Sequence, residues 1–106
     1  MEIIDEINKL CDKYGEDFNW SIVPMDNNFV RELQIETDLS QYSEVTAIAR
    51  SESSDDVLFL FDNSIYRIYH LTYSKCNAKG FPKYKEFFDT KEVVAYIDKQ
   101  YICEYL

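Results

Sequence analysis

Glycine and proline are almost missing from this chain of 106 residues, with two of each. That scarcity excludes flexible linkers and low-complexity segments. No apolar run approaches the roughly 20 residues that a membrane-spanning helix needs. Positive charge is also scarce: 11 Lys and Arg stand against 20 Asp and Glu, a formal charge of −9. Histidine occurs once, and the three cysteines (Cys11, Cys76 and Cys103) cannot all pair within one chain and show no CxxC spacing. A zinc ligand set is therefore excluded, and reduced thiols of a cytoplasmic protein are expected. No P-loop, GxGxxG, HExxH or GxSxG occurs, so no cofactor is expected. The opening MEIIDEINKL lacks the basic and apolar regions of a secretory signal, which again favours the cytoplasm.

What is present suits one globular domain spanning residues 1–106, with 46% hydrophobic and 29% charged residues. The charge is unevenly placed. Residues 1–53 hold 12 acids and 4 bases, a net −8, and residues 54–106 hold 8 acids and 7 bases, a net −1. Such a surface repels phosphate backbones and anionic membranes, which excludes nucleic acid and membrane as favoured partners. A basic protein would be steered toward it. The plainer reading, acidity for solubility, stands beside that one.

Helical spacing of Ile3, Ile7, Leu10, Cys11 and Tyr14 predicts a helix over residues 2–14, closed by Gly15. Residues 16–25 are mixed, with Trp20, Ile22 and Val23 available for a core edge and Pro24 as punctuation. A second helix capped by Asp26, with Phe29, Val30 and Leu33 inward and an end near Asp38, is preferred over a strand at 29–35. Residues 44–50 alternate as a strand, with Val45, Ala47 and Ala49 on one face. Residues 57–61, VLFLF, are apolar throughout, the mark of a central strand covered on both faces. Asp62, Asn63 and Ser64 turn the chain into a third strand at 65–73. Residues 74–85 read as irregular around Gly80 and Pro82, and Asp89 with Glu92 forms a capping box for a last helix burying Val93, Val94, Ile97 and Tyr101. The expected fold is α+β, a two-layer domain in which a three-stranded antiparallel β-meander packs with N-terminal and C-terminal helices, in the order α-α-β-β-β-α.

Candidate chemistry is thin. His70 shares a strand face with Tyr66, Ile68 and Thr72, and a pairing with Cys76 finds no Asn or Asp at a spacing that suggests a third member. A hydrogen-bonded structural histidine is the simpler account. Asp55 and Asp56 are adjacent, so their side chains leave a strand entry on opposite sides and do not converge as a glycosidase pair would. A solvated turn is the plain reading, and a negative contact patch with Glu52 is the functional one. Nine tyrosines are more than a core of this size hides, and exposed Tyr favours protein interfaces. Tyr42, between Asp38 and Glu44, reads as an aromatic anchor flanked by carboxylates. Lys75, Lys79, Lys83 and Lys85 form one basic stretch, a weak nucleic-acid signal on so acidic a chain.

The stretch VTAIARSESSDDVLFLFDNSIYRIYHLTYS, followed by FPKY and FFDTKE, resembles a group of small, largely uncharacterised bacterial α/β proteins. The shared pattern is matched here by Asp55 to Phe59, by His70 to Ser74, and by Pro82, Phe88 and Asp89, with Tyr73 where Trp is expected and no Gly after Ser74. In size, acidity and make-up the chain is also similar to immunity proteins of toxin systems. That likeness, one of type without a shared motif, implies a non-enzymatic inhibitor of a basic toxin domain, such as a nuclease. The partner-binding residues expected from the carboxylates and tyrosine of this chain are Asp38, Tyr42, Glu44, Glu52, Asp55 and Asp56. The alternatives are an adaptor or scaffold subunit without a toxin partner, and an enzyme centred on His70.

Overall fold

A computed structural model describes residues 2–15, 18–23, 28–73 and 82–105. The chain forms α1 (Glu2–Tyr14), β1 (Trp20–Ile22), α2 (Asn28–Glu36), β2 (Val45–Ser51), β3 (Asp56–Phe61), β4 (Ile65–His70), β5 (Tyr84–Phe87) and α3 (Thr90–Tyr105). The class is α+β, as expected, but the sheet has five antiparallel strands in the order β1-β2-β3-β4-β5. The element order is therefore α-β-α-β-β-β-β-α, which corrects the three-stranded meander. Both missed strands are edges. β1 has three residues, and β5, reading YKEF, leaves Tyr84, Lys85 and Glu86 exposed. The first is too short, and the second buries too little, to show the alternation that announces a strand. Tyr84 and Lys85 thus belong to a strand rather than to an irregular loop; Asp26, Cys76 and most of that loop lie outside the described residues.

The two-layer expectation is corrected as well. Leu58 and Leu60 of β3 join Ile3, Ile7 and Leu10 of α1 and Val93, Ile97 and Tyr101 of α3 in one buried cluster. Val57, Phe59 and Phe61 point to the other face, where Val30 and Leu33 of α2 and Leu39 meet them. Helices cover the sheet on both sides because a strand apolar at every position exposes a greasy face unless both are covered.

β2 carries a bulge between Ala47 and Ala49, where its register against β3 shifts from Ala47↔Phe59 to Ala49↔Leu58. Val45 and Ala47 pack toward α2, whereas Ile48 and Ala49 both belong to the α1/α3 cluster. The expected grouping of Ala49 with Val45 and Ala47 is corrected by that extra residue, which turns Arg50 toward the α2 side. The turn after β3 has left-handed backbone at Asp62 (φ 51) and Asn63 (φ 59), residue types that tolerate it. Gly15 closes α1 at φ 73 with open space around it, so glycine is required there by conformation and not by crowding. Asp89 caps α3 by accepting the Glu92 N–H at 2.8 Å.

Candidate partner-binding cleft

The strand expected over 65–73 ends at His70, and its last residues are taken by a side chain from α2. Glu36, only 7% exposed, accepts hydrogen bonds from the Thr72 N–H and hydroxyl, both at 2.7 Å, and from the Tyr73 N–H at 3.1 Å. Thr72 therefore leaves the face it was expected to share with His70. Tyr73 adopts a left-handed backbone with φ 54, which costs a non-glycine residue about 1–2 kcal/mol. The Glu36 hydrogen bonds offset that cost and aim Tyr73 outward, where it is 56% exposed.

Opposite Tyr73 runs the β2–β3 loop. The Glu52 N–H donates to the Asn19 carbonyl at 2.7 Å, Asn19 Nδ2 donates to Ser53 Oγ at 3.0 Å, and the Asp56 N–H reaches Ser54 Oγ at 3.3 Å. Between the loop and Tyr73 lies a cleft of about 370 Å³ whose lining includes Phe29, Arg50, Glu52, Asp55, Asp56 and Tyr73. Burial raises the Tyr73 phenol pKa, and the Asp55, Glu32 and Glu36 carboxylates raise it further against the opposing pull of Arg50. The local field is negative, although an arginine sits in it.

On α2, Glu32 and Glu36 stand one helical turn apart, and their carboxyl groups interact. The hydrogen bond to Glu36, burial and repulsion from Glu36 together raise the Glu32 pKa to about 7. Burial works against ionisation of Glu36, but hydrogen bonds from Glu32, Thr72 and Tyr73 outweigh it and hold that carboxyl below its ordinary value.

Of the six residues expected to bind a partner, the structure brings together Glu52, Asp55 and Asp56. Asp38, Tyr42 and Glu44 do not line the cleft; Tyr42 and Glu44 lie at the other end of β3, beside Phe61 and Asp62. Asp38 Oδ1 accepts the Ser40 N–H at 2.9 Å in the segment after α2, and the Glu44 N–H donates to Asp62 Oδ1 at 2.7 Å. The Tyr42 ring packs 4.6 Å from Phe61 and lies 5.2 Å from the Arg67 guanidinium, so much of this anchor is spent inside the fold. Glu36 was readable in principle: it falls on the stripe of Val30 and Leu33, where a charged residue needs a partner.

His70 is exposed, and its Nδ1 lies 2.9 Å from Asp56 Oδ1. Asp56 and His70 are register partners on β3 and β4, a cross-strand pairing that linear spacing does not reveal. The expectation that no Asp would attend the histidine is corrected. Among the described residues no group of three or more His, Cys, Asp or Glu side chains is placed to hold a metal ion, and no helix is long and apolar enough to cross a membrane. No family model matches the chain, and neither a curated protein nor a solved structure matches it.

Proposed function

We propose that the chain is a non-enzymatic, cytoplasmic binding protein of the immunity type, which inhibits a basic bacterial toxin domain by occupying it directly. The observation that carries this reading is the cleft: Glu52, Asp55 and Asp56 all line it, beside an exposed tyrosine. A lysine or arginine of the partner entering there meets carboxylates and the face of Tyr73, the combination that favours cations. The net charge of −9 speeds the encounter over a longer range. Asp38, Tyr42 and Glu44 form the second, smaller part of the proposed contact. The resemblance of the DDVLF and HLTYS segments to small bacterial α/β proteins is consistent with this assignment and adds no activity to it.

The test is capture from the cytosol of its source cells at low ionic strength, followed by kinetics on the isolated partner. The wild type is expected to retain a basic protein whose association slows as salt rises. The double variant Glu52→Lys, Asp55→Lys is expected to bind it at least about tenfold more weakly while keeping the wild-type unfolding midpoint. Salt-independent association, or equal binding by the double variant, rejects the reading. One observation favours a second reading: Asp56 holds the His70 ring as an orienting carboxylate holds a general base. Activity on any substrate that vanishes in a folded His70→Ala variant would establish it.

A further inference from the structure

Among the described residues, β5 ends the sheet and is paired on one side only, to β4. The His70 N–H donates to the Lys83 carbonyl at 2.9 Å, so that pair is a hydrogen-bonded one, and such pairs alternate along an antiparallel ladder. Lys85 and Phe87 accordingly use their peptide groups on their register partners Ile68 and Tyr66. Tyr84 and Glu86 turn theirs to the open side. Pro82 has no N–H and ends the row in that direction. The open edge is therefore short, consisting of the N–H and C=O groups of Tyr84 and Glu86.

A second copy of the chain is the most immediate occupant of an open edge, and the side chains reject it. Two such edges related by a twofold axis pair antiparallel with like faces aligned, so the bonded pairs can only match Tyr84 or Glu86 with Tyr84 or Glu86. Tyr84 opposite Tyr84 sets Lys85 against Lys83 of the other copy. Tyr84 opposite Glu86 sets Lys85 against Lys85, and Glu86 opposite Glu86 joins two carboxylates. Each register opposes like charges, which destabilises the pairing.

The same charges welcome a different strand. On the α3 side of the edge, Lys85 lies over the Tyr96 ring at 4.9 Å. The groove there is lined by His70, Lys83, Lys85 and Tyr96, with Asp56 as its carboxylate, and continues past Lys99. On the opposite side Tyr84 is 49% exposed, and Glu86 is already occupied by Arg67 at 2.8 Å. We infer that the open edge of β5 takes an extended acidic segment of another protein as a sixth strand, with carboxylates opposite Lys83 and Lys85 and an apolar side chain between them against Tyr84. Main-chain hydrogen bonds supply attachment, and alternation of acid with apolar supplies selectivity. This surface shares only Asp56 with the cleft and otherwise carries the opposite charge, and its peptide-exchange test reads β5 alone, so failure of the inference is distinguishable from failure of the proposed function.

The test is amide hydrogen exchange by NMR with a blocked peptide of alternating Glu and Val. The peptide is expected to slow exchange at Tyr84 and Glu86 at least about tenfold at saturation. A Lys and Val peptide should leave both amides unchanged, and Lys85→Glu should weaken the Glu and Val peptide by about fivefold. A backbone N-methylated Glu and Val peptide should bind at least about tenfold more weakly, which tests the strand geometry on the wild-type protein. Equal binding of the acidic and basic peptides, protection located elsewhere, or no protection at millimolar peptide overturns the inference. So does a dimer in solution with protection at β5.

Discussion

The two faces of β3 are closed by different means. Toward α1 and α3 the closure is almost wholly apolar, with Ile3, Ile7, Leu58, Val93 and Ile97 buried together. Toward α2 a single helix of nine residues has to cover Val57, Phe59 and Phe61, and polar groups finish the task. Glu36 ties down Thr72 and Tyr73, while Arg67 bridges Glu86 at 2.8 Å and the Tyr69 hydroxyl at 2.9 Å. Apolar packing has no direction, whereas hydrogen bonds do. The face closed by hydrogen bonds is accordingly the one on which a side chain such as Tyr73 can be held outward in a left-handed conformation. The candidate cleft lies where apolar cover runs out.

Breaking the apolar part of the α2 face should have the largest effect: Phe59→Ala is expected to cost about 3–5 kcal/mol, read from urea unfolding. Glu36→Ala tests the polar part. It strands three donors and frees Tyr73 from its strained backbone, with an expected loss of about 2–3 kcal/mol; a cost below about 0.5 kcal/mol would show that the carboxylate does not hold the segment. On the opposite face Gly15→Ala should cost about 1–2 kcal/mol through its positive φ alone, since the space around it is open. The smallest effect is one of pH. With its pKa raised to about 7 from an ordinary 4.5, Glu32 contributes stability that is complete below 4.5 and is lost as pH rises through about 7. Glu36 works the other way, its contribution present above its ordinary value and lost as pH falls beneath it. Unfolding measured between about pH 5 and about pH 8 should therefore show a decline that Glu32→Gln flattens.

The parts of the fold legible in the sequence were those with a strong period. α1 and α3 announce themselves by stripes at helical spacing, and VLFLF by its lack of any polar position. β1 was not legible because three residues are too few to show a period, and β5 because three of its four side chains are exposed. Of the cleft, the carboxylates of the β2–β3 loop were visible as neighbours in the chain. Tyr73, Arg50 and Glu32 were not, because what unites them is a sheet register, a bulge and a helix packed on that face; Glu36 showed only as a charge on an apolar stripe. The pairing of Asp56 with His70 was hidden for the same reason, since residues fourteen apart become neighbours only once β3 and β4 are aligned.

The bulge in β2 makes the cleft sensitive to a kind of change that substitutions cannot imitate. Beyond Ala47 the strand runs one step out of phase with its own beginning. Deleting a single residue there would restore the phase and swing Arg50 from the rim of the cleft toward the oily layer between the sheet and α1. Exchanging the side chains one at a time leaves that phase alone. At this point in the chain the number of residues is itself a structural determinant, and a gap of one would do more harm than several replacements spread across the same strand.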